Sequence, residues 1–389
     1  MDVESVQWLL TEEGQRVLGR ACALEEPDPL RAHSALERAC PGTPSALLAV
    51  ALTQAELRAR AVAKFGELAA SMYFTPDGLE QATRLSVATH RAARLSAFGA
   101  STVVDLGCGV GGDLIAFARA GITAAGVDLD RVRVAVASAN LSALGLPGAV
   151  GVAEALDVDI RPFDVAFADP ARRTGRGRTF SLDAWTPPWS FALSLLAGDA
   201  CVKTAPGIPH DVVPAGVEAE WVSDHGEVKE AALWGGRLAT ASRRATVIRD
   251  GGLATLTEED DPGSGVVPLG QFLYEPDGAV IRAGLVTAVA AGVHGGLLDP
   301  HIAYVTAAES FHTPFARSYE VLETLPHREK PLRAALHERG IGRLTIKKRG
   351  VDVVPDQLRK RLALTGDNEA TIVLTRIDGQ GTCLLVRPF

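Results

Sequence analysis

Val103-Val104-Asp105-Leu106-Gly107-Cys108-Gly109-Val110-Gly111-Gly112-Asp113 is the stretch on which the reading of this chain turns. A β-branched run ends in an acid, and a glycine-rich turn follows at once. Gly107, Gly109 and Gly112 satisfy G-x-G-x-x-G, the turn that carries a strand into a helix and brings backbone close to a bound cofactor. Outward from it, short apolar runs recur at Ala124–Val127, Ala149–Val152, Asp164–Phe167 and Ala200–Lys203, separated by helical segments. That spacing predicts βαβ units, and the near-continuous apolar character of the runs predicts buried parallel strands.

The glycine pattern alone does not choose between a dinucleotide and S-adenosylmethionine. Asp105 does. A carboxylate two residues before the first glycine opposes a pyrophosphate but attracts the α-ammonium of S-adenosylmethionine. A buried structural acid is the alternative. Asp128, at the end of the second strand, is placed to accept from the ribose hydroxyls of either cofactor; capping the helix over 131–144 is its alternative role. Glu154, at the end of the third strand, is placed to accept from an adenine amino group or to sit solvated in its loop. Asp169-Pro170 closes the fourth strand beside the first, near the transferable methyl group. The expected cofactor contacts are Asp105, Gly107, Cys108, Gly109, Asp113, Asp128, Leu129, Glu154, Ala155 and Asp169.

Residues 101–170 thus resemble the cofactor half of a class I S-adenosylmethionine-dependent methyltransferase. A narrower resemblance spans most of the chain. It rests on Phe74–Thr83, Asp169-Pro170-Ala171-Arg172-Arg173, Val202–Ile208, Gly226–Glu230 and Ile346–Asp352. These are similar to bacterial methyltransferases that end in a THUMP-like domain. The resemblance implies a Rossmann-like α/β core with a mostly parallel seven-stranded sheet. It also implies three regions: helical 1–90, cofactor-binding 91–250, and an α+β module over 267–389 whose THUMP-like part covers about 320–389. THUMP domains in other enzymes bind RNA, so the resemblance further implies methylation of a base nitrogen in tRNA or rRNA.

One departure bears on the target atom. Enzymes that methylate exocyclic base nitrogens often carry Asp/Asn-Pro-Pro and then an aromatic. Here the run is Asp169-Pro170-Ala171-Arg172. Asp169 remains able to accept from an amine or a ring N–H, and an arginine plane can stack on a base in place of the aromatic. Asp169, Pro170 and Arg172 are therefore the expected catalytic residues. Arg172, Arg173, Arg176 and Arg178 put four arginines within seven residues where substrate should enter, as phosphate clamps or as a solvated loop. Trp185, Pro187, Pro188 and Trp189 are candidates for a base-pocket wall or for the core. Lys203 is placed to face the site or solvent, and Phe74, Gln81 and Arg84 to form a lid or a plain helix contact. Lys347, Lys348 and Arg349, with Arg343, Arg359, Lys360 and Arg361, form a second basic cluster for phosphate contact or for solubility.

Composition bounds these readings. The 389 residues are 47% hydrophobic and 22% charged, the profile of a soluble globular protein with room for two or three domains. The formal net charge of −8 leaves only local patches to attract nucleic acid. Cys22, Cys40, Cys108, Cys201 and Cys383 are scattered and contain no C-x-x-C, which fits a reducing cytosol and no structural zinc. Cys108 reads as a small buried thiol, with a catalytic thiol as its alternative. No metal site, membrane span or signal peptide is expected. Pro27, Pro29, Pro41 and Pro44 divide the first 90 residues into about five helices. Residues 255–266, with the acidic Glu258–Gly265 stretch, read as a turn or short linker, Pro355–Leu362 as a helix, and Asp378-Gly379-Gln380-Gly381 as a hairpin turn. A protein or small-molecule methyltransferase, a non-catalytic RNA-binding module, and a nicotinamide enzyme are the rival readings.

Overall fold

Local signals set the first elements. Helices α1 (Val3–Leu9), α2 (Glu12–Cys22) and α3 (Pro29–Ala39) begin at Asp2, Thr11 and Asp28, whose side chains accept from the exposed N–H groups of the first turn, the usual role of an N-cap. The long α4 (Ser45–Phe65) follows Pro44. Thr75 caps α5 (Pro76–Gln81), and α6 (Leu85–Phe98) ends on the left-handed Gly99. The described residues before 100 thus hold six α-helices where about five were expected, and α6 runs across residue 90.

The structure is a computed structural model that describes residues 1–172 and 185–389, with backbone alone at 171, 172 and 185. Its contacts divide into two units, Met1–Val217 with Ala232–Thr240, and Glu218–Ala231 with Ala241–Phe389. Residues 218–231 and 241–250, expected with the central domain, group with the C-terminal residues.

In the first unit, β1 (Thr102–Leu106) passes through the glycine turn into α7 (Gly112–Arg119), then β2 (Thr123–Asp128), α8 (Arg131–Ala143) and β3 (Ala149–Val152). After them come β4 (Val165–Ala168), the short ribbon β5 (Ala171–Arg172) and β6 (Trp185–Thr186), α9 (Trp189–Leu196) and β7 (Ala200–Thr204). β1 pairs in parallel with β2 and β4, β2 with β3, and β4 with β7. The order β7-β4-β1-β2-β3 puts β1 in the middle, and its Asp105 lies opposite Gly126 of β2 and Phe167 of β4. Gly126 answers to close packing: a Cβ there would sit 2.6 Å from Leu114 Cδ1 and 2.9 Å from Cys108 Cβ. Gly109 answers to backbone conformation, with φ of 57°, a region costly for residues with a Cβ.

The second unit contains β8 (Glu218–Asp224), most of β9 (Glu227–Trp234), and the antiparallel pair β10 (Arg243–Arg249) and β11 (Gly252–Thr257). β8 runs parallel to β10. The strand β11 extends to Thr257, and a 3-10 turn over Glu258–Asp260 follows, so the expected linker at 255–266 is strand at its start. A seven-stranded sheet comes next: β12 (Phe272–Pro276), β13 (Gly296–Asp299), β14 (Ile302–Ala307), β15 (Ala316–Leu325), β16 (Ile341–Lys348), β17 (Asn368–Ile377) and β18 (Gln380–Pro388). Helices α10 (Gly278–Ala283) and α11 (Val286–Gly292) follow β12, while α12 (Glu329–Glu338) and α13 (Pro355–Leu362) flank β16. The turn joining β17 to β18 places Asp378 and Gly379 at φ of 49° and 73°, as a two-residue hairpin turn requires.

One buried side chain fastens the helical segment to the glycine turn. Asn140 of α8 is fully buried. Its oxygen accepts from Tyr73 N at 2.6 Å, and its amide donates to Tyr73 O at 3.0 Å and to Val110 O at 2.8 Å. Asn140→Ala strands three backbone groups away from water. We expect a loss of about 2–4 kcal/mol of stability, measured by chemical denaturation, with weakened cofactor affinity because Val110 is released.

Candidate active site at the ends of the parallel strands

The carboxyl ends of β1, β2 and β4 open into a cavity of about 800 Å³, well sized for a ligand of nucleoside dimensions. All the expected cofactor contacts line it: Asp105, Gly107, Cys108, Gly109, Asp113, Asp128, Leu129, Glu154, Ala155 and Asp169. Pro170, Lys203, Thr186 and Pro187 line it as well, and Asp77, Gly78 and Glu80 to Thr83 form a further wall.

Each acid is held differently. Asp128 Oδ2 accepts from Gly109 N at 3.0 Å, and Oδ1 from Asp130 N at 2.9 Å. These bonds tie the end of β2 to the glycine turn, and Asp130, not Asp128, caps α8. Asp113 is buried with both oxygens engaged, one by the Thr83 hydroxyl at 2.8 Å and the other by the guanidinium of Arg91. Arg91 is itself 1% exposed, with its cation 4.5 Å from the centre of the Phe167 ring. Asp169 is a third exposed, and its Oδ2 lies 2.5 Å from Lys203 Nζ. Lys203 also reaches the Thr83 hydroxyl at 3.1 Å.

Asp105 is the exception. It is 1% exposed, and its Oδ1 has no hydrogen-bond partner among the described residues. Burial, then the Asp113 and Asp169 carboxylates, push the pKa of its carboxyl well above the usual carboxylate range. A buried oxygen of this kind demands a donor, and a positively charged amine entering the cavity would satisfy it. The residues present therefore fit a cofactor with an ammonium group beside the glycine turn. Cys108 is buried and its thiol is pushed up by burial, as an inert packing residue requires.

Several expected residues stand elsewhere. Arg173, Arg176 and Arg178 lie outside the described residues, as do the side chains of Arg172 and Trp185. Phe74 is buried against Phe65, 5.5 Å between ring centres, so it packs and forms no lid; Gln81 does line the cavity, and Arg84 donates to Ala63 O. The second basic cluster is largely neutralised. Arg343 pairs with Glu369, Arg359 with Asp356, Arg361 with Glu329, and Lys347 with Glu275. Arg349 lies 5.6 Å from the Tyr304 ring centre. Lys348 and Lys360 are exposed.

Sequence reasoning passed over Thr83 and Arg91. For Arg91 a signal exists: Val87, Arg91 and Leu95 share one face of α6, and all three are buried, which places a cation in an apolar stripe. Among the described residues, no group of three or more His, Cys, Asp or Glu is arranged to hold a metal ion. No described helix is long and apolar enough to cross a membrane.

Comparison with known proteins agrees with this geometry. A family model described as THUMP domain-like matches residues 316–388, and a domain of unknown function matches residues 2–61. The crystal structure of a candidate methyltransferase from Porphyromonas gingivalis W83 superposes with a TM-score of 0.75 at 21% identity, covering 100% of this chain and 99% of that one. It shares the fold. An S-adenosylmethionine-dependent methyltransferase of Mycobacterium tuberculosis, found alike in strains CDC 1551 and H37Rv, is 40% identical over 334 residues, covering 82% of this chain and 90% of its own. At that identity and coverage, with a cavity whose unpaired acid calls for an ammonium, the chain belongs to the S-adenosylmethionine-dependent methyltransferases.

Proposed function

We propose that the enzyme methylates a base nitrogen of RNA. The observation that carries the nitrogen target is the position of Asp169. Its carboxylate opens into the cavity at the end of β4, beside Asp105 of the adjacent strand, where it can accept from an amine or ring N–H. The THUMP domain-like match at 316–388 supports RNA as the bearer of that base, because THUMP domains in other enzymes bind RNA.

When bound, S-adenosylmethionine supplies a methyl group already activated on its sulfonium, so the protein mainly contributes proximity and orientation. Asp105 receives the ammonium, Asp128 the ribose hydroxyls, and Glu154 the adenine amino group. Leu129, 59% exposed at the rim, and Ala155 contact the adenine. Gly107, Cys108 and Gly109 leave room for the methionine part. Asp113 acts at one remove, because Thr83 and Arg91 occupy both its oxygens. Asp169 orients the target nitrogen and takes its proton, and Pro170 stiffens the turn behind it. Arg172, Arg173, Arg176 and Arg178 hold phosphates at the entrance. Lys347, Lys348 and Arg349 add a weaker contact, since the neighbouring carboxylates offset most of that cluster. The same pairing favours one alternative, a protein or small-molecule acceptor.

Transfer of tritiated methyl groups to total cellular RNA tests the reading. We expect label that ribonuclease releases and protease does not; the reverse pattern would establish a protein acceptor. Asp169→Asn should lower turnover by about 10²-fold or more while leaving S-adenosylmethionine affinity within a few-fold. Unchanged turnover in that variant removes Asp169 from the chemistry.

Asp105→Asn separates binding from stability. Loss of a buried charge partner should weaken S-adenosylmethionine binding by about 30- to 100-fold, read by calorimetry. Because the folded chain raises the pKa of Asp105, its contribution to stability is full below the unfolded value of about 4 and is lost as pH rises through the folded value. The cofactor-free variant should therefore melt above the parent at pH 8, and the gap should close as the pH is lowered toward 4. A parent whose melting temperature does not fall relative to the variant over that range contradicts the assignment.

A further inference from the structure

We infer that Lys203, braced by Thr83, is the positioning residue that fixes the Asp169 carboxylate for the acceptor nitrogen. The inference rests on the reading of Asp169 given above. Three elements far apart in sequence meet here. Lys203 stands near the end of β7, Asp169 just beyond β4, and Thr83 in the segment between α5 and α6. Lys203 Nζ lies 2.5 Å from Asp169 Oδ2 and 3.1 Å from Thr83 Oγ1. The Thr83 hydroxyl donates onward to Asp113 Oδ2 at 2.8 Å, and Arg91 holds the other oxygen of Asp113. The carboxylate facing the substrate is thereby tied, through one ammonium and one hydroxyl, to a pair buried beneath it. Lys203 has a side chain 15% exposed, against 33% for Asp169. It therefore sits behind the acid, on the protein side, with Asp169 toward the opening.

Two physical consequences follow. An ammonium on Oδ2 pins the rotation of the carboxylate, so its second oxygen points in one direction. Geometry of this kind matters steeply, since a displacement of about 1 Å at a reacting centre can cost 10²-fold in rate. The ammonium also stands against the charges that surround the site. Asp105 on β1 and Asp113 on α7 bring negative charge, and Asp128 on β2 adds more, while Arg91 on α6 and Arg133 on α8 are spent on Asp113 and on the Asp128–Asp130 pair. Among the described residues, Lys203 is the cation that faces Asp169 itself.

Lys203→Met, Lys203→Arg, Thr83→Val and Asp169→Asn in the full-length enzyme test the inference. Methyl transfer to total cellular RNA and calorimetric S-adenosylmethionine affinity are measured on each. We expect Lys203→Met to lower kcat about 30- to 100-fold with cofactor affinity within threefold of the parent. Lys203→Arg should recover most of that loss, and Thr83→Val should lower kcat about three- to tenfold. The acid limb of the kcat/KM profile should move to higher pH by about one unit in Lys203→Met, because a cation next to the base has been removed; a packing role alone would leave that limb in place. Should Lys203→Met fail to bind cofactor, Thr83→Val supplies the readout, and an unchanged kcat in it overturns the bracing role. Parent-like turnover and an unmoved acid limb in Lys203→Met, alongside loss in Asp169→Asn, overturn the inference while the reading of Asp169 stands. Parent-like turnover in Asp169→Asn as well overturns both.

Discussion

Four carboxylates, those of Asp105, Asp113, Asp128 and Asp169, converge on one cavity at the ends of parallel strands. Like charges gathered in a partly dry space repel, and burial strips them of the water that would otherwise stabilise them. Much of the first unit can be understood as the answer to that constraint. Asp128 is satisfied by backbone N–H groups of Gly109 and Asp130, with Arg133 3.9 Å away. Asp113 is matched by the buried Arg91, and Asp169 by Lys203. Of these four, Asp105 keeps a buried oxygen with no donor among the described residues. The described residues thus leave one buried carboxyl oxygen unsatisfied, at the place where the proposed reading puts the ammonium of the cofactor.

That arrangement explains why the helical segment belongs to the same unit as the strands. Arg91 comes from α6 and Thr83 from the turn before it. Without them Asp113 would be a second unmatched buried acid, and Lys203 would lose one of its anchors. Asn140 performs the corresponding task on the other side, joining Tyr73 to Val110 of the glycine turn. The helices before residue 100 are therefore part of the site's construction.

Much of this could be read from sequence because its determinants are local. The glycine turn, the parallel strands, Asp128 and Asp169 lie in order within seventy residues, and period and punctuation mark each of them. Pro355–Leu362 and the Asp378-Gly379 turn were visible for the same reason. The remainder depends on pairings between distant positions. Arg91 meets Asp113 across 22 residues and Lys203 meets Asp169 across 34, and no periodicity encodes either pair. The charge balance of the basic cluster depends on the same kind of pairing. Lys347, Arg343 and Arg361 look unopposed along the chain, yet Glu275, Glu369 and Glu329 come from other strands and helices to meet them.

The neutralised cluster changes where attraction for a polyanion would have to arise. Exposed ion pairs contribute little stability, but each one cancels a charge that phosphate would otherwise meet. Counterion release scales with the number of basic groups left to pair with phosphates. With Arg343, Arg359, Arg361 and Lys347 already opposed by carboxylates, Lys348, Arg349 and Lys360 carry what remains in that part of the second unit. The four arginines at 172, 173, 176 and 178 follow directly on Asp169-Pro170. On the proposed reading, electrostatic contact there would act on the same segment of substrate that presents its nitrogen to Asp169, so orientation and attraction would be coupled through a few residues of chain and not through the acidic bulk of the protein.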